Sequence, residues 1–311
     1  MRTINREQVL AKVGHVVLLM GGSSPEREIS LLSGQAVANS LSALGIRTTV
    51  IDVGKNIVDE LLTAEPDLVV NMLHGQGGED GVMQGCLDLL QIPYTGSGVL
   101  ASALAMDKVK SKQIWRQMGL ATAPFIKLTD DSDWEGIIVS FDRVVVKPIY
   151  GGSSLGIAIV DSAESLERAY EEACEFKQGV MAEKYLDGPE YSTGVLCDEL
   201  LPTILLETDR EFFDFTAKYV DEGTRIVCPA PLSSERMEIA ESLVKSAYSA
   251  LDCSGLARVD FMADAAGEFF LLEVNTVPGM TSHSFVPISA ALVGIDFDEL
   301  VVRILDGKLN G

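Results

Sequence analysis

The chain has 311 residues, and 46 acidic side chains against 24 basic ones give a net charge of −22. A general nucleic-acid binder needs a basic surface to meet phosphates, and an anionic membrane leaflet repels an acidic protein, so both are excluded as partners. With 47% hydrophobic residues the chain can bury a large core, and its length suits two or three domains.

Near the start, Arg2, Arg6, Glu7 and Lys12 leave no apolar stretch of the kind an export signal needs. The apolar run at 16–20 is far shorter than the roughly 20 residues of a membrane span, so the expected location is the cytoplasm. Strand and helix signals then alternate, with strands at 15–20, 48–53 and 67–73 and helices at 29–44, 57–62 and 82–90. Short apolar strands between amphipathic helices predict a doubly wound parallel sheet, which binds ligands at the carboxyl ends of its strands. Two glycine-rich stretches fall there, Gly21-Gly22-Ser23-Ser24 and His74-Gly75-Gln76-Gly77-Gly78-Glu79-Asp80-Gly81.

The turn-rich run Tyr94-Thr95-Gly96-Ser97-Gly98 marks a boundary. Helices at 99–105 and 108–118 follow, then strands at 124–128, 143–148, 155–160 and 179–185 with a helix at 163–176, which make a small α+β unit. Beyond Leu186 the signals are mostly β, at 190–197, 201–207, 225–228, 256–263 and 268–275, broken by one long helix at 234–251. Residues 208–224 are polar and aromatic with little periodicity, which predicts a mobile loop. The expected division is 1–96, 97–184 and 185–311. The scattered Cys86, Cys174, Cys197, Cys228 and Cys253 contain no Cys-x-x-Cys pair and read as reduced, mostly buried thiols.

The strongest chemical signal is Arg258-Val259-Asp260 on one strand and Glu273-Val274-Asn275 on the next. Residues two apart on a strand share a face, so an antiparallel pairing would bring all four polar side chains together. Two carboxylates and an amide oxygen suit a hard cation such as Mg²⁺, while an Arg–carboxylate pair on a solvated face is the plainer alternative. Downstream, the amides around Gly279 could stabilise an oxyanion, with Arg258 adding fixed charge. Lys147-Pro148 ahead of Gly151-Gly152-Ser153-Ser154 has the character of a phosphate-covering loop, although no Gly-Lys-Ser/Thr of a Walker A loop is present. Glu183-Lys184-Tyr185-Leu186 with Glu190 is a strand end able to face a base and ribose, or simply a surface charge cluster.

Taken in order, these motifs resemble the ATP-grasp superfamily, and closely the D-alanine–D-alanine ligase family. The resemblance rests on Gly21-Gly22-Ser23 with Glu26-Arg27-Glu28-Ile29-Ser30, the run from His74 to Gly81, Met106-Asp107-Lys108, and Lys147-Pro148 with Gly152-Ser153-Ser154. It continues through Glu183-Lys184, Ala217-Lys218-Tyr219, Arg258 with Asp260, Glu273 with Asn275, and Pro278-Gly279-Met280-Thr281-Ser282-His283-Ser284.

That resemblance implies an α/β and α+β architecture, in which an ATP-grasp fold follows an N-terminal doubly wound parallel-sheet domain. It implies ATP-dependent joining of two D-alanines through a D-alanyl phosphate, for peptidoglycan precursors, by a homodimer. Asp260, Glu273 and Asn275 would hold two Mg²⁺ ions, with Mn²⁺ as a substitute. Lys108, Lys147, Ser153, Ser154 and Lys218 would meet the phosphates, and Glu183, Lys184, Leu186 and Glu190 the adenine and ribose. Glu26 and His74 would address the first D-alanine, Arg258 and Gly279 the oxyanion, and Ser284 with Phe285 the second D-alanine. Glu26, Ser153 and Tyr219 would form a hydrogen-bonded set, and Tyr219 favours an amine over a D-lactate acceptor. Phe213 and Phe215 depart from the tyrosines common in the family. A D-lactate or D-serine ligase of the same fold is the nearest alternative. A dinucleotide-dependent oxidoreductase is disfavoured, because the stretch after residue 20 lacks the Gly-x-Gly-x-x-Gly spacing.

Overall fold

The N-terminal parallel sheet begins with β1 (Val16–Met20), a five-residue run of Val, Leu and Met buried almost throughout, as a strand covered on both faces must be. The computed structural model describes residues 2–152, 156–207 and 225–310 of the chain, and its three sheets follow the order expected from the sequence. In the first, β1 lies between β2 (Thr48–Asp52) and β3 (Leu68–Asn71), parallel to both. Helices α2 (Arg27–Ala43), α3 (Ile57–Ala64) and α4 (Val82–Leu89) make the crossovers. On α2 the buried side chains include Ile29, Ser30, Ser33, Gly34, Val37 and Leu41, the three-and-four spacing of one helix face.

Two helices, α5 (Val99–Met106) and α6 (Lys108–Gln117), lead to the second sheet. Asp107 caps α6 by accepting from the Lys110 amide at 2.9 Å, which fixes where the helix starts and hence the direction of Lys108. That sheet is antiparallel, ordered β4 (Phe125–Leu128), β7 (Val180–Lys184), β5 (Val144–Pro148), β6 (Ala158–Val160). Helix α8 (Ala163–Cys174) covers it together with α7 (Trp134–Phe141), an element absent from the sequence reading.

The third sheet runs β11 (Arg225–Val227), β10 (Ile204–Glu207), β8 (Glu190–Leu196), β12 (Leu256–Ala263), β13 (Phe269–Asn275), with the short β9 (Glu199–Leu200) also paired to β8. The long α9 (Ser234–Ala250) packs its Ala240, Val244 and Ala247 against Val259, Phe261 and Leu271 of this sheet. A parallel bridge between Thr122 and Leu271 ties the second sheet's entry to β13. Three further helices were not anticipated: α1 (Arg6–Lys12), α10 (Phe285–Leu292) and α11 (Phe297–Leu309). They return to the first sheet, where Val9, Leu18 and Leu41 share one core with Val286, Leu300, Val301 and Leu305.

The cysteines are all free, but of the five only Cys253 is buried; Cys174 is exposed and the rest are half-buried, so the expectation of mostly buried thiols is corrected. No described helix is long and apolar enough to cross a membrane. Trp115 on α6 has no exposed surface and donates from Nε1 to the Ala247 carbonyl at 3.2 Å, fastening α6 to α9. Trp115→Ala should therefore lower unfolding stability by about 3–5 kcal/mol in denaturant titration, the usual cost of an aromatic-sized cavity.

Candidate active site

The central feature is the antiparallel register of β12 and β13, in which Arg258 faces Asn275 and Asp260 faces Glu273. The alternation of the strands sends these four toward one side and Val259, Phe261, Leu271 and Val274 into the core. Asp260 is buried and takes a fork of bonds from Arg258, whose Nη2 lies 2.7 Å from Oδ2 and whose Nε lies 2.9 Å from Oδ1. Ser192 on β8 donates to Asp260 Oδ1 at 2.6 Å, and the Asn275 amide nitrogen donates to Oδ2 at 3.0 Å. Glu273 is met from α6 by Lys108, with Nζ 3.2 Å from Oε2.

These donors fit a hard divalent cation. Asp260 and Glu273 present carboxylate oxygens from neighbouring strands, and turning over the Asn275 amide, which preserves its shape, would offer an oxygen beside them. Among the described residues no cluster of three or more His, Cys, Asp or Glu side chains forms a ready metal cage. A site with few protein carboxylates suits an ion that also takes phosphate and water oxygens.

Lys108 also donates to the Gly151 carbonyl. Lys147 at the end of β5 pairs with Glu183 on β7, and Glu183 Oε2 lies 2.8 Å from the Nζ of Lys112. Lys112 did not enter the sequence reading. It sits one helical turn after Lys108, a spacing that puts both on one face of α6, and this is the signal that could have revealed it. Burial pulls the Lys112 ammonium down to about 8 against the attraction of Glu183. Burial also opposes ionisation of Glu183, but Lys112 and Lys147 outweigh it and hold that carboxyl below its ordinary value of 4.5.

Two adjoining cavities meet at this charge cluster. The larger is lined by Lys108, Lys147, Glu183, Lys184, Leu186 and Glu190, with apolar walls from Val145, Ile159, Met262 and Leu272. The second is lined by His74, Arg258, Asn275, Gly279, Ser284 and Phe285. Glu26 and Glu273 line both. Ser153, Ser154, Lys218 and Tyr219, like Phe213 and Phe215 and the whole 208–224 stretch, lie outside the described residues.

Glu26 stands at the start of α2, and its carboxylate crowds two glycines. A Cβ at Gly75 would lie 2.5 Å from Glu26 Oε2, and one at Gly152 2.9 Å from Oε1, so a side chain at either position would push the carboxylate aside. His74 is buried, with Nε2 3.2 Å from Ser33 Oγ and Nδ1 3.9 Å from Glu79 Oε1. Ser33 Oγ also accepts from the Met280 amide at 3.1 Å and so holds the segment after Gly279. Ser33 too was missed; its only trace is the run of small residues on the buried face of α2. Gly279 meets Ser284, the N-cap residue of α10, so closely that a Cβ there would be 2.7 Å from its Oγ. The Arg258 guanidinium lies 5.4 Å from the centre of the Phe285 ring.

The family models described as D-ala D-ala ligase N-terminus and D-ala D-ala ligase C-terminus match residues 54–97 and 114–306. The chain is similar to the D-alanine–D-alanine ligase of Nitrosococcus oceani, at 49% identity over 298 residues, 96% of this chain and 94% of that one. The corresponding figures for that of Saccharophagus degradans are 46% over 296 residues, 95% and 94%. It also resembles the crystal structure of D-alanine–D-alanine ligase from Bacillus anthracis, with a TM-score of 0.85 and 35% identity over 95% of this chain and 97% of that one. The structure of the Bacillus anthracis enzyme complexed with ATP gives 0.84 and 32% over the same shares.

The Glu183 carboxyl predicts how stability depends on pH. Its folded value is depressed, so the unfolded chain binds the proton first, and the stability it contributes is complete above about pH 4.5 and is lost as pH falls below that. Thermal unfolding between about pH 5 and 3 should show this decline, with a shallower slope in Glu183→Gln, which should also be less stable than the unmodified chain near pH 7.

Proposed function

This chain belongs to the D-alanine–D-alanine ligase family, and from that membership we infer that its paired cavities join two D-alanines at the expense of ATP. The observation that carries this reading is the meeting of a lysine-lined, apolar-walled cavity with an arginine- and glycine-lined one across Glu26 and Glu273. A reaction that activates a carboxylate with a phosphoryl group and then passes the acyl group to an amine needs two such sites in contact.

Adenine fits between Val145, Ile159, Met262 and Leu272, with Glu183, Lys184 and Leu186 along its edge and Glu190 toward the ribose. Lys108 and Lys147 face the phosphates, and Lys218, Ser153 and Ser154 are proposed to join them. Glu26 meets the ammonium of the first D-alanine, and His74 orients it. Its carboxylate oxygen attacks the γ-phosphorus, an O–P bond forms, and ADP leaves. The amine of the second D-alanine, held by Ser284 and Phe285, then attacks the acyl carbon, a C–N bond forms, and phosphate leaves. Arg258 and the Gly279 amide stabilise the oxyanion formed on the way. Tyr219 is proposed to complete a hydrogen-bonded set with Glu26 and Ser153 and to favour the amine over D-lactate.

Asp260, Glu273 and Asn275 are the residues that would hold two Mg²⁺ ions, or Mn²⁺ in their place, and such ions neutralise charge on a phosphoryl group in transfer. The reading places the enzyme in the cytoplasm, supplying dipeptide for peptidoglycan precursors, as a homodimer divided at 1–96, 97–184 and 185–311. An ADP-release assay tests it. D-alanine with Mg-ATP should release ADP, and adding D-lactate near neutral pH should add little; no D-alanine-dependent release would refute the reading. Glu273→Gln should reduce turnover by about a hundredfold or more, the scale on which lost charge stabilisation acts in transfer reactions. Near-normal turnover would remove Glu273 from the metal site.

A further inference from the structure

Lys112 has no exposed surface, yet it carries an ammonium into the interior. Its Nζ lies 2.8 Å from Glu183 Oε2, 2.7 Å from Thr122 Oγ1 and 3.1 Å from the Leu271 carbonyl. Thr122 and the Leu271 carbonyl accept hydrogen bonds from the ammonium, and Glu183 Oε2, which accepts no hydrogen bond, faces it as an ion-pair partner. It lines neither cavity, whereas Lys147 and Glu183 both line the larger one. Whatever Lys112 does for a ligand, it does through Glu183.

Packing alone does not explain a lysine here. Burying a charge costs several kcal/mol before its partners compensate, and a methionine of similar length would fill the same space without that penalty. Nor does Lys112 alone join α6 to the sheets. Lys108 on the same helix pairs with Glu273 of β13 at 3.2 Å, and Trp115 fastens the helix to α9.

What Lys112 changes is the local charge. Glu183 divides its two oxygens, Oε1 to Lys147 and Oε2 to Lys112. With both lysines present the group carries two ammoniums on one carboxylate, a net positive charge facing the cavity. Without Lys112, Lys147 and Glu183 would form a closed, neutral pair.

We propose that Lys112 is a positioning residue for the nucleotide: by engaging Glu183 from behind, it keeps that carboxylate from neutralising Lys147 and leaves Lys147 able to charge a phosphate. The inference rests on the ATP reading of the larger cavity and deepens it.

Calorimetric titration of the full chain with Mg-ATP and, separately, with adenosine tests it, using the unmodified protein and K112M. K112M should bind Mg-ATP roughly tenfold more weakly or worse, the worth of one charge-assisted contact, while its affinity for adenosine, which carries no phosphate, and its KM for D-alanine at saturating ATP stay unchanged. Unchanged Mg-ATP binding in K112M, or an equal loss for adenosine, would overturn the proposal and leave Lys112 as a purely structural residue. Should K112M fail to fold, K112Q, which keeps a polar end beside Thr122 without the charge, is read in the same way: a roughly tenfold loss for Mg-ATP alone supports the charge-setting role, and equal or absent losses overturn it. Failure of the unmodified chain to bind Mg-ATP would instead overturn the ATP reading itself.

Discussion

The pairing of β12 with β13 is the constraint on which the site depends. In an antiparallel ladder the side-chain period is two, so a slip of one residue would turn Arg258, Asp260, Glu273 and Asn275 into the core and send Val259 and Val274 out. The hydrophobic cluster under α9 therefore fixes the polar face as firmly as any polar contact does. One irregularity refines it. The register shifts between Asp260 and Phe261, so that Leu272 is passed over and Phe261 pairs with Leu271. Burial along β13 shows the consequence, because Leu272 and Glu273 are both half-buried where strict alternation would bury one of them. The bulge aims an apolar and an acidic side chain at the same cavity, and under the proposed function β13 would serve a base and a phosphate together.

The remaining site residues arrive from other elements and need their own fixings. Glu26 and His74 belong to the parallel sheet, which is held to the rest by a core shared with the last two helices. Ser24 Oγ donates to the His74 carbonyl at 2.6 Å and joins the two glycine-rich stretches at the strand ends. Ser33 then links the His74 ring to the Met280 amide, so the N-terminal sheet and the segment that carries Gly279 share one buried hydroxyl. Such hydroxyl links cost little volume, which is why small residues can crowd the face of α2 that looks at them.

Most of this was legible in the sequence, because the strands that frame the site are continuous apolar runs or clean alternations. The facing of Arg258, Asp260, Glu273 and Asn275 followed from spacing alone once the strands were taken as antiparallel. The missed elements lack such signals. Helix α7 reads Trp-Glu-Gly-Ile-Ile-Val-Ser-Phe, rich in residues that favour strands, and forms where Asp133 accepts from the Gly136 amide at 3.0 Å and Ile137 is buried beneath it. Helix α10 starts inside a motif whose glycine and proline advertise a loop. Lys112 and Ser33 were legible only as positions, Lys112 by its spacing from Lys108 and Ser33 by the small-residue face of α2, and not as site residues. Their importance lies in partners 70 and more residues away, or 40 and more, and no local pattern reports those contacts.

The net charge of −22 also takes on a different meaning. The cleft itself is lined by Glu26, Glu183, Glu190 and Glu273, with Asp260 buried beside Arg258. Three cations that line it are engaged with acids, Lys108 with Glu273, Lys147 with Glu183 and Arg258 with Asp260, and Lys112 meets Glu183 from outside the cleft. Such pairing keeps buried lysines and arginine in fixed rotamers and offsets the charge of Lys108 and Arg258, while the group of Lys147, Lys112 and Glu183 keeps a net positive charge. A bare triphosphate would meet carboxylates as well as ammoniums there. The acids that would repel it, Asp260 and Glu273, are the ones suited to a divalent cation, so the proposed function favours the metal complex of the nucleotide over the free anion. Glu183 is the exception, since its two oxygens face two lysines. On that division of labour, one carboxylate sets the charge of a lysine and two others receive the cations, and a strongly acidic chain can hold a nucleotide without a basic surface anywhere else.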